Sequence, residues 1–185
     1  IINNIKYITQ ENNGSASGWN TGIKYALNHN YDYVWMMDDD GFPDLNSLKI
    51  LLENINLNHS SLSSLVLKEN KKNELVFPMP KLNKLSNPII FPFFRKYKKI
   101  NDLNKKNSVF YNYAHFFNGS LISIDCIKKI GNVYKDYILY GDEVDYFYRL
   151  RSVGLVQTCL LSYHFHPDVS KRIISHRSAY YYLRN

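Results

Sequence analysis

The sequence predicts an α/β fold, and two features support that prediction. The first is an order of strand, small-residue loop, helix and second strand over residues 5–37. The second is a run of three aspartates, Asp38, Asp39 and Asp40, directly after the apolar segment 33–37. Apolar runs rich in β-branched and aromatic side chains are typical of buried strands. Open α/β sheets bind ligands beyond the carboxyl ends of their strands, so we expect the aspartates to line a crevice.

The segment before the aspartates has the order of a phosphate-binding unit. Residues 5–9 predict a short strand, and residues 12–18 are small and turn-forming. Apolar residues at helical spacing predict a helix over residues 19–28, with Ser17 as its N-cap. Backbone N–H groups at such a helix start are available to an anion. The loop lacks both the dinucleotide glycine fingerprint and the phosphate-loop lysine, and its glycines also suit an ordinary turn.

The aspartate triplet predicts a cation site. Alternate residues of an extended chain point the same way, so Asp38 and Asp40 can converge on one ion while Asp39 faces elsewhere. A hard divalent cation, Mg²⁺ or Mn²⁺, suits such oxygen ligands and also holds substrate phosphates. The alternative is a solvated turn, because Gly41 follows the triplet and Asp-Gly is common turn chemistry. An EF-hand calcium loop fits poorly, since its glycine stands at the sixth position of the loop.

A second acidic cluster, Asp142 and Glu143, lies at the start of a predicted helix. Asp142 is the expected N-cap. Four residues after the pair have helical spacings suited to a buried face: Val144, Phe147, Tyr148 and Leu150. A carboxylate at a helix N-terminus stays ionised at neutral pH, as a general base requires. The alternative is that these acids only complement the helix dipole.

Two histidines, His164 and His166, follow a strand predicted over residues 155–161. Alternation would place both rings on one side of the chain, where either can complete a metal site begun by the aspartates. A zinc site is less persuasive, because the further histidine, His176, is separated from the pair by a basic stretch. The alternative is a structural role for both rings.

In this order, the motifs resemble the glycosyltransferase family 2 pattern, in the branch of rhamnosyltransferases and galactofuranosyltransferases. The matching pieces lie at 13–14, 18, 20–22, 35–40 with 43, 117–123, 130–131, 141–145 with 149, 164–166 and 181–185. The resemblance implies a GT-A-like, Rossmann-type nucleotide-diphospho-sugar transferase fold, with a mixed central sheet flanked by helices. It also implies transfer of a sugar from a nucleotide donor to an acceptor hydroxyl, with inversion.

For the metal site, the resemblance implies Asp38, Asp40 and His166 as ligands of Mn²⁺ or Mg²⁺. Asp38 and Asp39 would also contact the donor, as part of the aspartate-any-aspartate motif. His166 best matches the late histidine of the family, and His164 is the reserve, only two residues away. The metal would stabilise the negative charge that develops on the departing diphosphate.

For catalysis and donor binding, the resemblance implies four further contacts. Glu143 stands where the family commonly has its catalytic aspartate, and because the pair is Asp-Glu, either Asp142 or Glu143 can be the base. Asn13, Gly18 and Asn20 fall where the family contacts the donor or shapes its loop. The base would remove the proton of the acceptor hydroxyl as that oxygen attacks the anomeric carbon.

Composition fits one globular domain over residues 1–185. Hydrophobic residues make up 45% of the chain and aromatic residues 15%, which excludes general disorder. The chain opens without methionine and in the middle of the pattern, so we expect the N-terminal βα portion of the domain to be missing. Two cysteines without metal or disulfide spacing suit a reducing cytosol, and no stretch approaches the roughly 20 apolar residues of a membrane span.

Residues 68–110 differ from their surroundings, with lysines, prolines and a basic aromatic run at 91–99. We expect an insertion on the acceptor side. Its cations could hold a lipid-linked saccharide acceptor at the inner face of the membrane, each contributing about 1 kcal/mol. The alternative is a solvated loop.

The net charge of +7 raises nucleic-acid binding as a rival, but no nucleic-acid motif accompanies it, and we expect no such partner. A nucleotidyltransferase and a basic non-enzymatic binding module remain the alternatives.

Overall fold

The computed structural model describes residues 5–89, 96–104, 108–169 and 175–185. Its helices are α1 (Ser15–Leu27), α2 (Ser47–Asn54), α3 (Ile100–Asn104), α4 (Ile124–Ile130), α5 (Asp142–Arg151) and α6 (His176–Arg184). Its strands are β1 (Tyr33–Met36), β2 (Phe42–Pro43), β3 (His59–Lys68), β4 (Lys71–Met79), β5 (Tyr97–Lys99), β6 (Phe110–Tyr111), β7 (Ser120–Ser123) and β8 (Leu155–His166). A 3₁₀ turn, Lys135–Tyr137, precedes α5.

One mixed eight-stranded sheet organises the described chain. Its main path runs β1-β7-β3-β4-β5, and β8 lies parallel to β3. The first half of β3 lies between β7 and β8, and its second half lies between β4 and β8. The short strands β2 and β6 pair antiparallel with β8. The predicted α/β fold, with a mixed central sheet flanked by helices, is confirmed.

Helices cover both faces of the sheet. Leu121 and Ile122 are neighbours on β7, and successive side chains of a strand point to opposite faces of the sheet. The two residues accordingly pack in different hydrophobic clusters. Ile122 packs with residues of α1, α4 and α5, whereas Leu121 packs with Leu51 of α2. This three-layer arrangement places the ends of β1 and β8 near the start of α5. In the described ranges, no helix combines the length and apolarity needed to cross a membrane.

The predicted first strand is wrong. Residues 5–9 are exposed, Tyr7 to 83%, and pair with no described strand. Among the described residues, β1 pairs only with β7. A segment that is largely exposed and pairs with no strand gains little to offset the conformational entropy lost when it becomes ordered.

The start of α1 also differs from the prediction. The helix begins at Ser15, and Gly14 with φ 87° occupies the N-cap. Ser17, the predicted cap, therefore lies inside the first turn. The reason is the glycine: its positive φ lets the chain turn into the helix without a capping side chain.

The segment 68–110 is largely structured where it is described. Residues 71–79 form β4, which returns antiparallel to β3, and β5 adds a further antiparallel strand. Lys68 joins this hairpin by ion pairs to Glu74 at 3.1 Å and to Asp168 at 2.9 Å. Residues 71–79 thus belong to the sheet rather than to a solvated loop. Residues 90–95 and 105–107, including much of the basic aromatic run, lie outside the described residues.

Candidate functional site

A cavity of about 310 Å³ collects the two acidic clusters and one of the histidines. The sequence-predicted residues in its lining are Asp38, Asp39, Asp40, Asp142, Glu143 and His166. They come from the loop after β1, the start of α5 and the end of β8. The fold therefore brings together segments that are far apart in the sequence, at the sheet edge where the aspartates were expected.

The β2–β8 pairing places the aspartates beside His166. Phe42 pairs with Phe165, which aligns the preceding loop with the end of β8. Gly41 makes this approach possible, because a Cβ at that position would collide with the His164 ring. The glycine after the triplet is therefore required by close packing.

Asp38, Asp40 and His166 form a group whose possible ligand atoms all lie within 4.8 Å of one another. His166 Nε2 lies 3.0 Å from an Asp40 carboxylate oxygen. The other ring nitrogen, Nδ1, lies 2.8 Å from the carbonyl oxygen of Pro167, and a proton on Nδ1 can be donated to it. In that tautomer, Nε2 carries a lone pair that faces a carboxylate, so a positive species is needed between them.

This geometry fits a divalent cation. Adjacent ligands of an octahedral ion with bonds of about 2.1 Å stand about 3 Å apart, which matches the separation of Asp40 and His166. Two carboxylates and one imidazole suit Mn²⁺, and the carboxylates also suit Mg²⁺. A protonated imidazole is the alternative positive species.

Asp38 is half-buried and has a neutral donor as its neighbour. Asn118 Nδ2 donates to Asp38 Oδ2 at 3.3 Å. Burial raises the pKa of Asp38, and the charge of Asp40 raises it further, while His166 and Asn118 act in the opposite direction. The raised pKa indicates that the described neighbouring residues compensate the negative charge of Asp38 only in part. A bound cation would lower it again.

Glu143 and Asp142 form a carboxyl pair. Burial raises the pKa of Glu143 to about 7, and repulsion by Asp142 and a hydrogen bond to it add to the shift. Burial also raises the pKa of Asp142. The expectation that a helix start keeps these groups fully ionised is thus corrected, because burial and mutual repulsion outweigh the helix dipole. Both shifts favour the protonated carboxyl, so the pair retains a proton to higher pH than free carboxyl groups do.

The role predicted for Asp142 as N-cap is wrong. Gly141, with φ 87°, is the N-cap of α5, and Asp142 is the first helical residue. Its carboxylate is only 3% exposed and accepts from the backbone N–H of Glu143. The left-handed glycine turns the chain directly into the helix, so the first carboxylate points into the protein.

The predicted buried face of α5 is correct in part. Phe147 and Leu150 are buried, as expected, but Val144 and Tyr148 are about half exposed. Tyr146 is buried instead, because it lies one turn after the inward-facing Asp142.

The predicted donor residues lie in different surroundings. Gly18 and Asp39 line a second cavity of about 490 Å³ beside α1 and β1. Asn20 instead joins α1 to another loop, since its amide donates to the Val133 carbonyl at 2.6 Å. Asn13 is exposed and lies outside the lining of both cavities.

His164, the reserve ligand, lies outside the group formed by Asp38, Asp40 and His166. It is fully buried, and its ring nitrogens have no hydrogen-bond partner in the described part of the chain. Burial lowers its pKa to about 4, and His166 adds to the shift. The ring fills the space left by Gly41 and Gly119.

Several cavity residues were not predicted as site residues. Phe77 on β4 packs edge-on to His166 with ring centroids 5.6 Å apart, and His115 and Tyr140 also line the cavity. Asn118 lies within a segment that carried the family resemblance, which is the one sequence signal that could have found it. The other three have no motif, because tertiary packing alone brings them to the cavity.

Comparison with known proteins supports the resemblance. A family model described as "Glycosyl transferase family 2" matches residues 2–126, which include the aspartate triplet. Galactofuranosyltransferase GlfT1 of Mycolicibacterium smegmatis is 27% identical over 162 residues, covering 86% of this chain and 52% of the relative. Galactofuranosyltransferase GlfT1 of Mycobacterium tuberculosis strain H37Rv is 28% identical over 166 residues, covering 86% and 50%.

The chain spans about half the length of the curated relatives it matches. The family match covers well over half of the chain, and the mixed α/β architecture is that of a GT-A-like fold. The chain therefore belongs to glycosyltransferase family 2.

Proposed function

We propose that the full-length protein is a metal-dependent, inverting glycosyltransferase of cell-surface polysaccharide synthesis. The observation that carries this proposal is the convergence of two acidic clusters in one cavity, with His166 grouped with Asp38 and Asp40. Family membership supports the transfer of a glycosyl group. Because similar relatives are named galactofuranosyltransferases, a galactofuranosyl nucleotide is the first donor to test.

Asp38, Asp40 and His166 would hold Mn²⁺ or Mg²⁺ and, through it, the donor diphosphate. The bound ion would neutralise the negative charge that grows on the leaving diphosphate. Asn118 orients Asp38 by donating to its carboxylate. The hydrogen bond from His166 Nδ1 to Pro167 keeps Nε2 free to act as a ligand.

Glu143 is the proposed general base. It is less buried than Asp142, and both line the cavity. The acceptor hydroxyl gives its proton to the Glu143 carboxylate while its oxygen bonds to the anomeric carbon. The bond from that carbon to the diphosphate oxygen breaks, and the diphosphate leaves with the electron pair. Attack from the opposite face inverts the anomeric centre without a covalent intermediate. A pKa of about 7 matches a base that works near neutral pH.

The proposed partners are a nucleotide-sugar donor and a saccharide acceptor. Exposed lysines on and beside β5, Lys96, Lys98 and Lys99, support a further proposal that the acceptor is lipid-linked and that the protein contacts an anionic membrane surface. We also propose a cytoplasmic location, which the two free, buried cysteines support.

The test is a screen of full-length protein against nucleotide-sugars, with Mn²⁺, with Mg²⁺ and with a chelator. A donor at 100 times its dissociation constant should add about 2.7 kcal/mol to the free energy of unfolding, and only in the presence of metal. The matching donor should then yield a nucleoside diphosphate and a product of inverted anomeric configuration, read by NMR. Pyrophosphate release from a nucleoside triphosphate would instead identify a nucleotidyltransferase. Stabilisation by no donor would favour the binding module.

A further inference from the structure

The loop directly before the carboxyl pair has an unusual backbone. Ile138, Tyr140 and Gly141 all have positive φ, at 61°, 60° and 87°. At Ile138 ψ is −59°, and the N–H of Leu139 lies 2.6 Å from the carbonyl of Tyr137. This is a tight three-residue turn of the rare positive-φ kind, which is costly for a β-branched residue. Such a conformation persists only where its surroundings hold it.

The C-terminal end of α6 holds one side of this loop. The amide nitrogen of Asn185 lies 2.7–2.9 Å from three loop carbonyl oxygens, those of Tyr137, Leu139 and Tyr140. Arg184 Nη2 donates to two carbonyls at the preceding 3₁₀ turn, those of Asp136 and Tyr137, at 2.7 and 2.9 Å. Two adjacent side chains thus supply hydrogen-bond donors to most of the carbonyls before α5.

The N-terminal end of α1 holds the opposite side. Gly14 packs so closely against Ile138 that a Cβ there would collide with the Ile138 carbonyl. On the other side, a Cβ at Gly141 would lie 3.0 Å from the Cβ of Asn185. The loop is therefore enclosed between the two helix ends. Its residues Leu139 and Tyr140 line the cavity, and the next two residues are the carboxyl pair.

We infer that Asn185, assisted by Arg184, is a positioning residue that holds the 137–141 loop so that Glu143 faces the reacting acceptor hydroxyl. This inference rests on the proposed function, because it assigns Glu143 the role of base. It requires hydrogen-bond donors at position 185 and not only side-chain bulk. An aspartate there has nearly the same shape but would direct a negative carboxylate at three carbonyl oxygens.

The experiment compares Asn185→Asp and Asn185→Ala in the full-length protein. The control is Arg177→Ala on the same helix, where Arg177 is exposed and lies over the Tyr181 ring at 5.9 Å. Misplacement of the base should lower kcat about 10- to 100-fold, more for aspartate than for alanine, because small errors in position are costly to catalysis. KM for the donor should stay unchanged, since the proposed metal ligands lie outside this loop. The control should keep wild-type kcat.

A second readout needs no turnover. The titration of the Glu143 carboxyl is followed by ¹³C NMR, with Glu143→Gln to assign the signal. Asp142 and Asp38 act on the Glu143 carboxyl by their charge, and neither is changed by Asn185→Ala, which also adds no charge of its own. In Asn185→Ala the pKa of Glu143, raised to about 7 by burial and by Asp142, should fall toward the ordinary value of 4.5 as water enters. If the wild type transfers no sugar, the proposed function fails, and this titration still tests the loop.

Wild-type kcat in folded Asn185→Asp, together with a wild-type Glu143 titration in Asn185→Ala, would overturn the inference. If Asn185→Asp does not fold, Arg184→Ala removes the two hydrogen bonds at the 3₁₀ turn and the donation from Arg184 Nε to Asn185 Oδ1, while the Asn185 residue itself is unchanged. It should show the same lowering of kcat with unchanged donor KM. Wild-type kcat in Arg184→Ala would then count against the inference.

Discussion

The two acidic clusters share one cavity but balance their charge in different ways. Asp40 faces the Nε2 atom of His166 at 3.0 Å, and Asp38 accepts from the neutral amide of Asn118. Asp142 and Glu143 instead face each other and share a hydrogen bond. The first cluster thus has ligand atoms arranged around a space suited to a cation, whereas the second is arranged to hold a proton.

The fold explains this difference. The first cluster follows a strand, and the β2–β8 pairing brings a histidine beside it. The second begins helix α5, on which Arg149 is already engaged, since it binds Asp145 at 2.6 Å and the Ile130 carbonyl at 3.2 Å. A positive charge on the same helix is thus held away from Glu143, which is consistent with its raised pKa.

The largest expected effect is loss of the proposed metal site. Asp38→Ala or Asp40→Ala should abolish donor binding that depends on Mn²⁺ or Mg²⁺, because each removes a ligand of the ion. Fold stability should change little, since the mutual repulsion of the acids is removed at the same time. Asp39→Ala is the matched control and should be milder. Calorimetry with metal and with chelator measures the affinities, and wild-type donor affinity in both ligand variants would rule out the site.

The next largest effect is expected from a change in the carboxyl pair, Asp142 and Glu143. Glu143→Gln keeps size and most hydrogen bonding but removes basicity, so turnover should fall by about 10² to 10⁴. Donor binding with metal should remain nearly intact, in contrast to the variants of the first cluster. Single-turnover kinetics and calorimetry on the same preparation separate the two steps. Normal transfer by this variant, with loss of transfer in Asp142→Asn, would assign the base to Asp142.

The sequence predicts which residues of the first cluster lie together better than it predicts the protonation of the second cluster. Alternation after a strand and the order of family motifs were enough to group Asp38, Asp40 and His166, which the structure brings together. The raised pKa of Glu143 depends on burial, and burial depends on how α5 enters the protein through Gly141. Local sequence rules describe helix ends by their caps and do not contain that information.

The central strand β3 shows a second limit of the sequence. It is rich in serine and has no period-two alternation, because nearly all of its residues are buried between neighbouring strands and on both faces. Two of its hydroxyls are satisfied by pairs that only the fold creates, Ser63 with Ser120 at 2.9 Å and Ser64 with Ser162 at 2.8 Å, whereas Ser61 Oγ has no hydrogen-bond partner among the described residues. A polar-looking segment therefore forms the middle of the sheet, where a solvated loop would be the usual prediction.

A smaller effect separates the two histidines of β8. His166→Ala should weaken metal affinity by more than the roughly 10- to 100-fold expected for loss of an outer-shell group. His164→Ala should leave an internal void between Gly41 and Gly119 and lower the free energy of unfolding by about 2 kcal/mol. Metal titration and urea unfolding of both variants measure the contrast. Metal affinity lost equally in both variants, with stability unchanged, would contradict it.

The smallest expected effect concerns protons. Burial raises the pKa of both Asp142 and Glu143, so the folded protein binds their protons more tightly than the unfolded chain does. For Glu143 the contribution to stability is therefore fully present below the unfolded pKa of 4.5 and is lost as pH rises through about 7, and Asp142 contributes in the same direction. Asp142→Asn removes the repulsion that raises the pKa of Glu143. The acidic limb of the kcat profile should then move to lower pH.

The same substitution should flatten the stability profile. Urea unfolding of the wild type between pH 5 and 8 should show a fall in the free energy of unfolding as the pair loses its retained proton. Glu143→Gln and Asp142→Asn should each reduce that fall, while Asp39→Ala, outside the pair, should retain it. A stability curve of the same slope in all four proteins would show that the pair does not hold a proton. The carboxyl pair would then be fully ionised at neutral pH, like ordinary carboxylates.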